Sequence, residues 1–141
     1  WGVDLSTPAL ALARTNGDLL GIDVRWALGD LLAPIEGEVD LLVSNPPYLT
    51  EAEYAALDHS VRDYEPQLAL PSGEDGLTAT RRLLDEGRAV VRAGGWIALE
   101  VDCRRAAATA ALAEGFGWRE VLVRDDLFGR ERYVLARRGS A

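Results

Sequence analysis

The run Val39-Asp40-Leu41-Leu42-Val43 passes through Ser44 into Asn45-Pro46-Pro47-Tyr48, and this junction restricts the fold more than any other stretch. An apolar, β-branched run halted by two prolines predicts a buried strand with an abrupt carboxyl end. Proline fixes φ and cannot donate to a ladder. In open parallel α/β sheets, ligands bind beyond the carboxyl ends of strands. The loop therefore carries one amide side chain, free carbonyls and one aromatic ring to a place where chemistry is expected.

The rest of the chain supplies a compatible frame. Trp1 to Asp4 reads as the tail of a strand ending in an acidic residue. Ser6 or Thr7 then caps a helix with Pro8 in its first turn, and Asn16-Gly17 closes it. Val24 to Leu28 is a short strand followed by Gly29-Asp30, and Glu51 to Leu57 a short helix within an irregular segment reaching about Asp75. Leu77, Thr80, Leu83, Leu84, Gly87, Val90 and Val91 share one helical face. Gly94-Gly95 predicts a turn, Trp96 to Val101 a buried strand, and Arg104 to Glu114 an alanine-rich helix. Trp118 to Arg124 and Glu131 to Arg137 predict an antiparallel hairpin. Alternating strands and helices with a terminal hairpin indicate a three-layer α/β fold, its sheet mostly parallel with one antiparallel edge.

The 141 residues suffice for one domain with a core, but not for two. The chain has no methionine and starts at Trp1, so a longer gene product is expected, with a segment before Trp1. Fifteen basic against 23 acidic residues give a formal charge of −8, which disfavours a partner coated through its phosphates. Cys103 and His59 are single, which excludes an internal disulfide and a Cys/His zinc site; no metal is expected. A nucleophile–histidine engine would have to rest on His59, in a polar stretch. No apolar run reaches the roughly 20 residues that span a bilayer. A soluble, cytoplasmic protein is expected, with no membrane partner.

Three strand ends carry polar side chains. A carboxylate such as Asp4 can bind both hydroxyls of a ribose, though a lone Asp there is as often a helix-capping or solvated group. Asp30 with the Leu31 N–H could meet the amino edge of an adenine, while Gly-Asp alone is more often a turn. Asp4, Asp30 and Asn45 are separated by about 26 and about 15 residues, the rhythm of consecutive βα units. That rhythm would line them along one sheet edge. The Asn45 side-chain oxygen and the Pro46 carbonyl would grip the two N–H groups of a planar amide or amine, with Tyr48 stacked on its plane. The competing reading is a strand-terminating turn, which a bare Pro-Pro would favour.

The chain resembles the catalytic domain of the HemK/PrmC family, protein-(glutamine-N5) methyltransferases that use S-adenosylmethionine and modify class I peptide chain release factors. The resemblance runs through Gly2-Val3-Asp4-Leu5-Ser6 with Ala9-Leu10 and Asn16, Gly29-Asp30-Leu31, and Asp40 through Tyr48. It continues in Tyr64-Glu65-Pro66 with Ala69-Leu70, Gly73-Glu74-Asp75-Gly76-Leu77, Leu99-Glu100, and Asp126-Leu127-Phe128-Gly129-Arg130 with Arg132. The Asn-Pro-Pro-Tyr tetrapeptide is shared with adenine amino-methyltransferases, and the later segments narrow it to the glutamine branch.

The resemblance implies a Rossmann-like class I S-adenosylmethionine-dependent methyltransferase sheet, mostly parallel with a C-terminal antiparallel hairpin. The first strand, its glycine-rich loop and an N-terminal substrate-recognition domain are missing, so residues 1–141 would be a partial catalytic domain that binds cofactor weakly or not at all. Asp4 would hold the ribose with Leu5 against the adenine, and Asp30 and Leu31 would read the adenine edge. Asn45 and Pro46 would bind the substrate amide, Asn45 also bordering the cofactor, with Pro47 and Tyr48 shaping the pocket. Glu65, Pro66 and the glycines near Asp75 would support its wall. Asp102 and Arg105 depart from the Gly and Gln usual after Leu-Glu. The implied activity is N5-methylation of the glutamine in a release-factor Gly-Gly-Gln loop. Alternatives are a ribosomal-protein glutamine, the N6 of adenine in nucleic acid, or a non-catalytic fragment.

Overall fold

The computed structural model describes residues 1–56 and 72–140, which form two units, Trp1–Gly37 and Glu38–Ala141. His59, Tyr64, Glu65, Pro66, Ala69 and Leu70 lie outside the described residues.

The first unit is one βαβ turn. Strand β1 (Gly2–Asp4) pairs in parallel with β2 (Trp26–Leu28), Asp4 opposite Leu28, and helix α1 (Thr7–Leu20) connects them. Ser6 caps α1 in extended conformation, its Oγ accepting from the Ala9 N–H at 3.2 Å, and Pro8 occupies the first turn. The helix runs past the Asn16-Gly17 stop predicted from sequence and ends at Gly21. There the backbone turns left-handed (φ 65°) and its N–H returns to the carbonyls of Asp18 and Gly17. Gly17 is buried inside α1, where a Cβ would meet the Trp26 indole at an ordinary contact distance of 3.4 Å.

The second unit carries a four-stranded sheet in the order β3-β4-β6-β5. Strand β3 (Val39–Ser44) runs parallel to β4 (Val91–Glu100), with Ser44 opposite Leu99. Strands β5 (Trp118–Asp125) and β6 (Glu131–Arg138) form the predicted antiparallel hairpin, and β6 also pairs antiparallel with β4. Helices α2 (Glu51–Ala55), α3 (Thr78–Val90) and α4 (Ala106–Gly115) complete it, with a 3₁₀ turn at Cys103–Arg105 before α4. The apolar stripe predicted on α3 is the one buried: Leu83 and Leu84 are 1 % and 0 % exposed. Trp118 packs beneath this helix, and its indole N–H donates to the Leu84 carbonyl at 2.8 Å. The buried polar end of the ring is thereby satisfied.

Two local expectations shift. The Gly94-Gly95 turn is a bulge within β4, where the partner changes from Val91 to Trp96 as β3 advances from Val39 to Leu41. Strand β3, predicted buried, is an edge strand among the described residues. Leu42 is 6 % exposed, but Leu41 and Val43 are 54 % and 72 % exposed. The core covers only one face of β3. No helix among the described residues is long and apolar enough to cross a membrane.

Candidate functional site

In the first unit, the parallel register places Asp4 and the Gly29-Asp30-Leu31 turn at the same end of the β1–β2 ladder. The Gly29 N–H donates to the Asp4 carbonyl at 3.1 Å, extending the pairing one step beyond the strands. Asp4 is exposed, and its Oδ1 accepts from the Ser6 N–H at 2.7 Å. This bond fixes the carboxylate at the mouth of α1. Leu5 beside it is 53 % exposed, an apolar surface left uncovered. Leu31 holds a left-handed backbone (φ 48°), a conformation that costs a branched residue about 1–3 kcal/mol and persists only where neighbours enforce it.

In the second unit, Asn45 follows Ser44 directly at the carboxyl end of β3. Asn45 is exposed, Pro46 buried, and Pro47 and Tyr48 half-buried. The loop is anchored at its far side. Leu49 accepts from the Ser72 N–H at 2.8 Å, and Thr50 caps α2 in a reciprocal box with Glu53, through bonds of 3.1 and 2.9 Å. Gly76 (φ 74°) lies beneath: a Cβ there would strike the Tyr48 carbonyl oxygen and the Arg105 guanidinium. Opposite Tyr133 in the β4–β6 ladder, Glu100 accepts from Arg132 at 2.9 Å. Glu100 strengthens the protonated form of Arg132 most, burial opposes it, and the Tyr48 hydroxyl adds to it.

A network of charges joins these pieces. Arg105, its side chain only 11 % exposed, donates through Nε to the Asp75 carbonyl (2.9 Å) and through Nη2 to Glu53 Oε2 (2.6 Å). Arg104 reaches Glu53 Oε1 at 3.0 Å and grips both oxygens of Asp102 at 2.9 Å. Asp102 also caps the 3₁₀ turn through the Arg104 N–H, and it lies 3.9 Å from Arg105 Nη1. Its carboxyl is drawn down to about 2, chiefly by the Arg104 side chain. Glu53 is lowered chiefly by the Thr50 backbone, with Arg105 contributing against burial. Asp75 is lowered to about 2, mainly by Arg81, which it binds with both oxygens while accepting from the Leu77 N–H.

The residues singled out in the sequence thus fall into two groups, the aspartates of the first unit and the Asn45–Tyr48 loop of the second. The sequence reading missed Glu53 and did not foresee that Asp102 and Arg105 belong to one ion network. The signal for Glu53 was Thr50-Glu51-Ala52-Glu53, the capping-box pattern. Nothing in one sequence shows that Arg105 crosses 52 positions to meet it.

The architecture is that of the Rossmann-like methyltransferases. A methyltransferase from Pyrococcus furiosus superposes with a TM-score of 0.72 at 17 % identity, covering 98 % of this chain and 61 % of that one. The Mtq2–Trm112 complex of E. cuniculi, responsible for methylation of the eRF1 translation termination factor, gives 0.56 at 19 % identity over 96 % of this chain and 80 % of that one. In sequence, a release factor glutamine methyltransferase from Deinococcus radiodurans is 50 % identical over 135 residues, 96 % of this chain and 48 % of that protein. No protein-family model matches. By sequence the chain is similar to release factor glutamine methyltransferases, and it spans about half the length of the curated relatives it matches.

Proposed function

We propose that this chain is the cofactor- and amide-binding part of an enzyme that methylates the N5 of a glutamine in the Gly-Gly-Gln loop of peptide chain release factors, with S-adenosylmethionine as donor. The observation that carries the reading is the Asn45-Pro46-Pro47-Tyr48 loop at the carboxyl end of β3, braced by Gly76 and the α2 cap, in a chain 50 % identical to a release factor glutamine methyltransferase.

The donor set of the first unit fits the nucleoside half of that cofactor. Asp4 offers a carboxylate to ribose hydroxyls, already oriented by Ser6. The strained Leu31 turn presents Asp30 and a backbone N–H to an adenine edge, and exposed Leu5 offers an apolar surface to the base. When bound, S-adenosylmethionine supplies an electrophilic sulfonium methyl group.

An amide nitrogen is a poor nucleophile, because its lone pair is delocalised into the carbonyl. In this reading the Asn45 side-chain oxygen and the Pro46 carbonyl accept its two N–H groups. They fix its orientation and stabilise the positive charge that develops on it. The prolines cannot donate, so nothing in Pro46-Pro47 competes for those acceptors. Tyr48, half-buried beside Arg132, forms one wall. No side-chain base is required, since an alkylated amide nitrogen is acidic enough to lose its proton to water.

The proposal extends to the whole protein. Residues 1–141 form part of a longer catalytic domain, with a further strand along the open edge of β3 and further cover for the sheet face that carries Leu41 and Val43. A substrate of the translation apparatus puts the reaction in the cytoplasm. Methyl transfer by the intact gene product, measured on release factor, ribosomal protein and an oligonucleotide, tests the reading. Transfer to the release-factor glutamine supports it; transfer only to ribosomal protein or adenine, or none at all, overturns it.

A further inference from the structure

The strongest unassigned feature is the cluster Glu53, Asp102, Arg104 and Arg105. It joins the segment after the Asn45–Tyr48 loop to the carboxyl end of β4 and to the turn before α3. Two carboxylates and two guanidiniums balance, so the cluster carries no net charge to attract an ion. Its construction is mechanical. Arg105 is 11 % exposed and its planar fork spends separate donors on Glu53 and on the Asp75 carbonyl, contacts that a flexible ammonium would not hold in one geometry. The Glu53 oxygen it binds also accepts the Thr50 N–H, the first residue of the α2 cap. Its Nε and the Tyr48 carbonyl oxygen both close on Gly76, where neither leaves room for a Cβ. Arg105 thus grips two segments that adjoin the Asn45–Tyr48 loop, Glu53 in α2 and the Asp75-Gly76 turn.

We propose that Arg105 is a positioning residue, which holds the Asn45-Pro46-Pro47-Tyr48 loop in its amide-binding shape through Glu53 on one side and the Asp75-Gly76 turn on the other. The inference rests on the amide-binding reading of that loop. Loss of the fork frees the α2 cap and the turn together, and the Asn45 and Pro46 acceptors lose their fixed separation. Misplacement of about 1 Å in such a pair costs about 100-fold in rate. The residues of this bracing, Glu53, Asp75, Gly76 and Arg105, all belong to the second unit.

The test compares Arg105→Gln, Arg105→Lys and Glu53→Gln in the intact gene product. It reads kcat and KM for release-factor glutamine, the Kd for S-adenosylhomocysteine, and amide hydrogen exchange over residues 45–56. The proposal expects kcat per cofactor-binding site to fall about 10- to 100-fold in Arg105→Gln and Glu53→Gln, with partial recovery in Arg105→Lys. It expects cofactor Kd within about twofold of the parent, and faster exchange at Tyr48, Leu49 and Thr50. Unchanged exchange there, or equal loss of cofactor affinity and kcat, overturns it. Should Arg105→Gln not fold, Glu53→Gln carries the same readouts. If the parent methylates no glutamine, the function fails; the exchange measurement still decides whether Arg105 braces the loop.

Discussion

The Cα of Gly76 lies so close to the carbonyl oxygen of Tyr48 that no side chain fits between them. The same glycine needs its left-handed φ of 74° to turn the chain from Asp75 into α3. It therefore serves two geometric demands at once, and both favour the absence of a Cβ.

Gly76→Ala should destabilise the protein by about 1–3 kcal/mol, the usual cost of a forced left-handed residue. The Arg105 end of the clash could swing aside, but the Tyr48 carbonyl is backbone and must shift with its loop. Denaturant midpoints should fall, and residual activity should fall further than the folded fraction. A variant as stable and active as the parent contradicts the contact.

Asp4→Asn keeps an oxygen for the Ser6 N–H, and so keeps the start of α1, but it removes the charge. Affinity for S-adenosylhomocysteine should drop about 10-fold or more, the worth of a hydrogen bond to a charged group, with little change in melting temperature. Calorimetry on the intact protein measures both. Unaltered affinity would leave Asp4 only its bond to Ser6.

Acid should loosen the braced loop first. Asp75 and Asp102 titrate at about 2 in the fold, against 3.8 as free groups, and Glu53 is also lowered. Carboxylates depressed by folding stabilise it fully above their unfolded values, and that contribution is lost as pH falls through the folded ones. Stability should decline between about pH 5 and pH 2, seen in urea midpoints, and removing Asp102 as Asp102→Asn should flatten part of that slope. A pH-independent midpoint across this window would contradict the assignment.

The class of fold was legible because its signals are local. Ser6, Pro8, the α3 stripe and the hairpin runs each state an element within a few residues, and the hydrophobic period does the rest. The α1 terminus was misread because Asn16-Gly17 looks like a stop, whereas the left-handed turn that ends the helix falls at Gly21, four positions on. The exposure of Leu41 and Val43 could not be read either: an apolar run says that a strand can be buried, not that a neighbour covers it. Asn45 to Tyr48 stood out by composition alone. Its support did not, because Glu53, Gly76 and Arg105 are ordinary residues in sequence that become one device only through contacts across 30 and 52 positions.

Asn45→Ala in the intact protein, assayed on release factor, bears most directly on the account. With one of the two amide acceptors gone, kcat should fall about 100-fold or more, as when a preorganised charge-stabilising group is lost, while the Kd for S-adenosylhomocysteine stays within about twofold. A kcat near that of the parent, or a loss confined to cofactor binding, would contradict the claim that Asn45 holds the glutamine amide.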